Sequence, residues 1–385
     1  MNKTLKYRLY PTKKQTRILQ EQLNECRWLY NHFLEERKNS WEQDKKSLNY
    51  FGQCKSMVAL KKERQSLTIV YSQVLQNVAD RVDKAFQSFF RRVKTKNGKA
   101  GYPRFKGFDR YDSLTYKQAG FGWSIEDNRL KLSKIGTIKI KLHRPIIGTL
   151  KTCTIRKQAN KWYACFSVEY ENKPLRKSNK AIGIDVGLEN FATFSNQKKI
   201  ANPRFFKTDQ EALAKAQKKL SKQEKKSPKR KKTKKVVARI HERITNRRHN
   251  FIHQEARKIV NKFGVICVEK LNIKGMQNGN FRSINRSIGD VAWGQFANVL
   301  SHKAEDAGRQ FIAIDPRGTS QRCSQCGAIV KKGLSNRWHN CPICNVRLHR
   351  DYNASLNILR LGLQSLGIQS IEAPEFIRGS NHSKD

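Results

Sequence analysis

Apolar and polar residues alternate at the start of the chain: Leu5, Tyr7 and Leu9 are separated by Lys6 and Arg8, a period of two that predicts a strand ended by Pro11. Thr12 followed by Gln15 forms a capping box. Beyond it Leu19, Leu23, Cys26, Tyr30 and Phe33, and later Val74, Val78, Val82, Phe86 and Phe89, fall at helical spacing, which predicts a helical unit over residues 12–95. From residue 96 the period returns to two. Leu130 and Leu132, then Ile138, Ile140 and Leu142, then Trp162, Ala164, Phe166 and Val168 predict antiparallel strands through residue 179, with Lys157 to Lys161 as a hairpin turn. A first strand left alone would be an unprotected edge, so residues 1–11 are expected to join the later strands in a barrel into which the helical unit is inserted. From residue 180 the pattern changes again. Apolar runs at 181–184, 190–195, 265–268 and 311–314, separated by helix-patterned segments, predict a mixed α/β domain. Past Leu363 the Pro374, Gly379 and Ser380 of residues 366–385 suggest a weakly ordered tail. The fold class expected is multidomain α+β.

Charge narrows the partners. Among 385 residues, 79 Lys and Arg stand against 31 Asp and Glu, a formal net charge of +48 spread along nearly the whole length. Solubility needs no such excess, and a polyanion is the natural partner because neutralising phosphates releases counterions. A membrane surface is the competing polyanion, but no long amphipathic basic helix or lipidation signal is visible. No run of 18 apolar residues and no N-terminal apolar core for secretion is present either, so a cytoplasmic, nucleoid-associated location without a membrane partner is expected. The densest basic stretch holds Lys225, Lys226, Lys229, Arg230, Lys231, Lys232, Lys234 and Lys235. It continues through Arg239, Arg243, Arg247 and Arg248 beside the helix-spaced Val237, Ile240, Ile244 and Phe251. Such a run is commonly a solvated face or a tether, and Ser227-Pro228 marks a break; on a chain of this net charge, contact with a phosphate backbone is the better reading. Tyr102, Arg104, Phe105 and Lys106, where aromatics interleave with bases, are candidates for stacking on nucleobases.

Three acids carry candidate chemistry. Asp185 ends the run in GIDVG, where Gly187 would allow a tight turn, Glu269 ends VICVE, and Asp351 opens the helix-like RDYNASLNILRL. Two strand-end carboxylates and one helical carboxylate can gather the hard oxygen ligands that two Mg²⁺ ions about 3.5–4 Å apart require for phosphodiester cleavage. Each acid alone is more commonly a cap or an arginine partner, and it is their combination with the charge that favours a site. Asp315, before Pro316, is the reserve ligand; Glu189, Asp209 and Asp290 read as structural or surface residues. Cys323-x-x-Cys326 and Cys341-x-x-Cys344, about 14 residues apart and so slightly under the commonest window, can still close a four-thiolate structural zinc site, with Gly327 and Asn345 where a positive φ helps each turn. His339 or His349 is a weaker alternative ligand. Cys26, Cys54, Cys153, Cys165 and Cys267 read as reduced, unpaired residues.

GIDVGL, VEKLNIKGM, TSQRCSQCG, CPIC and RDYNASLNIL, in that order, together with LKYRLYPTKKQ, GYPRFKG and RIHERITNRRHNF, resemble the TnpB family of transposon-encoded nucleases, relatives of type V CRISPR effectors. The resemblance covers nearly the whole chain. It implies an RNA-guided DNA endonuclease: a wedge β-barrel (1–11 and 96–179) with a helical recognition insert (12–95), then an RNase H-like (RuvC) domain (180–318 and 349–365) interrupted by a zinc ribbon (319–348). It implies Asp185, Glu269 and Asp351 as acids holding two Mg²⁺, for which Mn²⁺ can substitute, and the four cysteines as ligands of one structural Zn²⁺. It also implies a guide RNA from the transposon end, held by a protein monomer, and double-stranded target DNA cut beside a short adjacent motif. One departure is His349, where relatives often carry an acid. A guided repressor without cleavage and a DDE-like transposase are the alternatives; the first is separated by assaying for Mg²⁺-dependent cuts, the second by its usual third Glu and lack of an adjoining ribbon.

Overall fold

The computed structural model describes residues 1–95, 100–172, 174–278, 281–333 and 335–367. The chain divides into two compact units, Met1–Glu171 and the part from Asn172 onward. The tail expected to be weakly ordered lies, from residue 368, outside the described residues, as do residues 96–99 at the expected helix-to-strand boundary.

The first unit opens with β1 (Asn2–Tyr10), then α1 (Lys13–Asp44), α2 (Tyr50–Glu63), a 3₁₀ turn at Gln65–Ile69 and α3 (Ser72–Thr95). Six strands follow: β2 (Ser113–Tyr116), β3 (Trp123–Glu126), β4 (Arg129–Leu132), β5 (Gly136–Lys141), β6 (Thr149–Gln158) and β7 (Lys161–Glu169). Both bonds of the capping box are made, Gln15 N–H to Thr12 Oγ1 (3.2 Å) and Thr12 N–H to Gln15 Oε1 (3.0 Å). The antiparallel sheet runs β2-β6-β7-β1-β5-β4-β3, so the first strand lies within it, paired with β7 from Asn2↔Glu169 to Leu9↔Trp162 and with β5 near Leu9↔Ile140. The edge that β1 would otherwise expose is thereby covered on both sides. β6 turns into β7 through Ala159 (φ 46°) and Asn160 (φ 63°), two consecutive left-handed residues as a tight hairpin requires. The helices have no separate core: Leu19, Phe33 and Val78 belong to one buried cluster with Tyr7, Leu114, Ile138 and Phe166 of the sheet.

The second unit contains β8 (Ala181–Asp185), β9 (Asn190–Phe194), β10 (Lys199–Ala201), α4 (Phe205–Ser221), α5 (Pro228–Lys262) and β11 (Val265–Glu269). It continues with α6 (Ile273–Gln277), α7 (Arg282–Val291), α8 (Trp293–Asp306), β12 (Gln310–Ile314), β13 (Trp338–Asn340), β14 (Arg347–His349) and α9 (Arg350–Gln364). The five-stranded sheet is ordered β10-β9-β8-β11-β12, with β8, β11 and β12 parallel and β9 and β10 antiparallel. Strand periodicity sorts the side chains onto two faces. Ile182, Ile184, Ile266 and Val268 pack with Ile252 and Ile259 of α5 and Phe296 and Leu300 of α8, whereas Cys267 and Ile314 pack with Ile358, Leu359 and Leu363 of α9. Two glycines let α9 press against its face: a Cβ on Gly183 would strike the Ser355 carbonyl and sit 2.7 Å from Leu359 N, and one on Gly362 would strike Cys267 Sγ. No helix among the described residues is long and apolar enough to cross a membrane.

Candidate metal centre

β8 and β11 lie side by side with Val268 opposite Ile184, so both strands end level and Asp185 and Glu269 emerge together at their C-terminal ends, the edge where open α/β sheets hold ligands. Asp351 comes from the first turn of α9, against the same two strands. The three are within electrostatic reach. Removal from water pushes the Asp185 carboxyl well above the ordinary range, and repulsion from Glu269 and then Asp351 adds to it, against the opposing pull of Arg350 and the Val186 amide. Burial also raises Glu269, opposed by a hydrogen bond from the Thr319 hydroxyl to Glu269 Oε1 at 2.5 Å. His349 caps α9: the Asp351 amide donates to its Nδ1 (3.3 Å), and that nitrogen lies 3.9 Å from the Asp351 carboxylate. The position that departs from the family pattern thus has a structural task here.

The remaining acids separate from this group. Asp315, the reserve ligand, is exposed and accepts a hydrogen bond from the Arg317 amide (3.0 Å), so it shapes the turn after β12. Asp209 pairs with Arg243 and with Arg247 (3.5 Å), Asp290 accepts from the Phe206 amide and Arg248 (2.7 Å), and Glu189 meets Arg337 at 3.6 Å. Gly187 does not have a positive φ; a Cβ there would lie 3.1 Å from the Asn190 carbonyl, so its small size matters and its backbone freedom does not.

The four thiols of Cys323, Cys326, Cys341 and Cys344 lie within 4.8 Å of one another, the only group of metal-ligating side chains drawn so close among the described residues. Two matching knuckles place them. Cys323 N–H donates to Ala328 O and Gly327 N–H to Cys323 O; Cys341 N–H donates to Val346 O and Asn345 N–H to Cys341 O. Gly327 (φ 80°) and Asn345 (φ 55°) take the left-handed conformation at the same point of each. The Sγ pairs 323/344 and 326/341 are 3.6 and 3.5 Å apart, too far for a disulfide and close to the edge of about 3.8 Å of a tetrahedron with bonds of about 2.3 Å. Backbone amides of Cys344 and Ile343 lower the Cys341 thiol, whereas Cys326 and Cys344 in the same cluster are raised, so the four share their protons unequally and a cation would be needed for all to ionise. Neither histidine joins the group: His339 Nδ1 faces Lys332 Nζ at 2.8 Å, and His349 caps α9. The other five cysteines are unpaired.

Sequence reasoning missed the residues that join the two clusters. Asn353 and Asn357, one turn apart on α9 and fully buried, clasp the segment leading into the first knuckle. Asn357 Nδ2 donates to Thr319 O (2.8 Å) and Arg322 O (2.7 Å); Asn353 Nδ2 donates to Arg322 O (2.8 Å), and its Oδ1 accepts from Ser324 N–H (2.9 Å). Their signal was two amides at i and i+4 among apolar residues.

The basic stretch is helical from Pro228, with Ser227 as N-cap of α5. Its side chains divide by partner. Arg230 binds Gln223 O (2.8 Å) and the Leu220 carbonyl at the end of α4, and Arg243, Arg247 and Arg248 are held by Asp209 and Asp290. Lys225, Lys226, Lys229, Lys231, Lys232, Lys234, Lys235 and Arg239 are exposed. In the other unit Tyr102 packs edge-on against Phe86 and Phe89 while half open to solvent, Arg104 and Phe105 are exposed, and Lys106 donates its amide to Asn31.

Comparison with known proteins gives three family matches. Residues 165–279 match OrfB_IS605, "Probable transposase"; residues 293–358 match "Cas12f1-like, TNB domain"; residues 1–46 match "Helix-turn-helix domain", where this chain has one strand and one unbroken helix. The chain is 31% identical over 373 residues to "Putative RNA-guided DNA endonuclease" of Streptomyces pristinaespiralis, covering 94% of this chain and 90% of that protein. It is 29% identical over 374 residues to "Putative RNA-guided DNA endonuclease InsQ" of Escherichia coli (strain K12), covering 93% and 91%. A structure described as "Cryo-EM structure of the Cas12f1-sgRNA-target DNA complex" shares the fold, with a TM-score of 0.58 at 14% identity over 93% of this chain and 98% of that one.

Proposed function

The chain belongs to the TnpB family, and we propose that it is an RNA-guided DNA endonuclease which binds a transposon-derived guide RNA and cuts double-stranded target DNA beside a short adjacent motif. The carrying observation is the meeting of Asp185 and Glu269 at the level ends of two parallel strands, with Asp351 on the helix packed against them. In this reading the seven-stranded sheet with its helices is the wedge barrel and recognition insert, the five-stranded sheet is the RuvC-like core, and the four thiols hold structural zinc.

The donor set fits divalent cations: hard carboxylate oxygens repel one another where burial already disfavours their charge, and a countercharge would relieve both. Two Mg²⁺ ions, for which Mn²⁺ can substitute, would supply the charge that activates water and stabilises the leaving oxygen. Asp185 and Glu269 would hold the cations from the sheet and Asp351 from the helix, while Thr319 fixes one oxygen of Glu269. Exposed lysines of α5 would take phosphates, and guide pairing would read sequence. All three acids are present, and Asp185 feels the charge of the other two, which favours cleavage over the guided-repressor reading.

Asp185→Ala, Glu269→Ala and Asp351→Ala are each expected to lower cutting by at least about 100-fold, the scale of losing one preorganised electrostatic group. Guide and target binding should remain, because affinity comes from the far larger set of basic contacts and base pairs. Gel shifts and cleavage in Mg²⁺ test this for each purified variant; robust cutting by any of them removes that residue from the site.

A further inference from the structure

We propose that Thr319 is a positioning residue through which the thiol cluster sets the geometry of the cation site, by way of Glu269. This rests on reading Asp185, Glu269 and Asp351 as the cation-holding acids.

Thr319 is buried, and its single hydroxyl proton has two acceptors, Glu269 Oε1 at 2.5 Å and Pro316 O at 3.0 Å. The carboxylate oxygen is the closer acceptor, so the hydroxyl donates mainly to Glu269. The bond orients one carboxylate oxygen and leaves the other available to a cation. The backbone of residue 319 is itself fixed, since its carbonyl accepts from Asn357 of α9, whose second N–H holds Arg322 O. Asn353, one turn earlier, takes Arg322 O and the amide of Ser324, a residue inside the first knuckle between Cys323 and Cys326. Thus the shape that the thiols impose on residues 322–324 determines how the two asparagines sit. The asparagines determine where Thr319 sits, and Thr319 determines where Glu269 points. Asn353 and Asn357 are fully buried, so releasing this segment would strand their amides without water, which makes the chain of contacts act as one piece.

The test is manganese binding to the zinc-loaded full-length protein by calorimetry, alongside cleavage as a function of Mg²⁺ concentration. Thr319→Val removes the hydroxyl at nearly constant volume. It is expected to weaken Mn²⁺ binding by about 10-fold or more, the usual effect of losing an outer-shell partner, and to raise the Mg²⁺ needed for cutting while guide and target binding stay unchanged. Thr319→Ser keeps the hydroxyl and should restore both. Cys326→Ser acts from the far end of the chain of contacts and should weaken Mn²⁺ binding with Thr319 intact. Wild-type affinity in Thr319→Val overturns the role of the hydroxyl, and wild-type affinity in Cys326→Ser overturns the coupling. Absence of Mn²⁺ binding in the wild type overturns the reading of the acids themselves.

Discussion

Tyr111 and Tyr116 show how strongly one side chain responds to its surroundings. Both are buried in the core of the first unit, and desolvation pushes both phenols well above their ordinary value. A phenol is neutral when protonated, so a folded-state pKa above the unfolded value of about 10 means that the unfolded chain loses its proton first as pH rises. Stability should therefore fall from about pH 10 upward. Tyrosinate absorbance from these two side chains should appear only together with unfolding seen by circular dichroism. Ionisation at the usual pH in Tyr111→Phe/Tyr116→Phe difference spectra, with the fold intact, would contradict it. Asp185, Glu269 and Asp351 were legible in the sequence because each closes or opens a periodic run, so the element that carries it fixes its place. Thr319, Asn353 and Asn357 were not legible as partners, because hydrogen bonds between distant segments depend on how closely α9 approaches the sheet, which no local period encodes.

At the scale of elements, that approach depends on Gly183 and Gly362. Gly183→Ala would drive a methyl group into the backbone of α9 at Ser355 and Leu359, where no flexible side chain can yield. The helix must shift, at a cost of about 1–3 kcal/mol or more in overpacking, and Asp351 shifts with it. A lowered melting temperature together with reduced cutting is expected, and wild-type values of both would show that the helix accommodates the methyl. Cys323→Ser or Cys341→Ser should release one zinc per chain in metal analysis and reduce cleavage, because the knuckles have little core of their own and the α9 asparagines lean on the first. Well-folded wild-type protein lacking zinc would defeat this. The strands and long helices were visible in the sequence wherever apolar residues held a period over five or more positions. β10, three residues long, offers too few positions to show one, and a shared core between α1, α3 and the first sheet cannot be read from either pattern alone.

For the whole molecule, a net charge of +48 makes affinity for nucleic acid a matter of salt, and the structure separates the charges that serve the fold from those that face solvent. Arg230 ties α5 to α4 through carbonyls of the preceding helix end, Arg248 is held by Asp290, and Arg243 and Arg247 share Asp209 while staying about half exposed. The lysines at 225, 226, 229, 231, 232, 234 and 235 are exposed. Replacing these seven lysines with glutamine, while keeping Arg230, should leave the protein folded, since each exposed substitution away from caps and cores seldom shifts stability by more than about 0.5 kcal/mol. Nucleic-acid binding should weaken across sequences alike. Each lost duplex phosphate contact removes about 0.9 from the slope of log affinity against log salt, so even two or three contacts would flatten it by about 2 or more. Binding measured over a salt series with the guide RNA, and then with duplex DNA, decides which strand the arm touches. An unchanged slope with both would make the run a solvated face of a long helix, and the phosphate contacts would then have to be sought elsewhere on the protein.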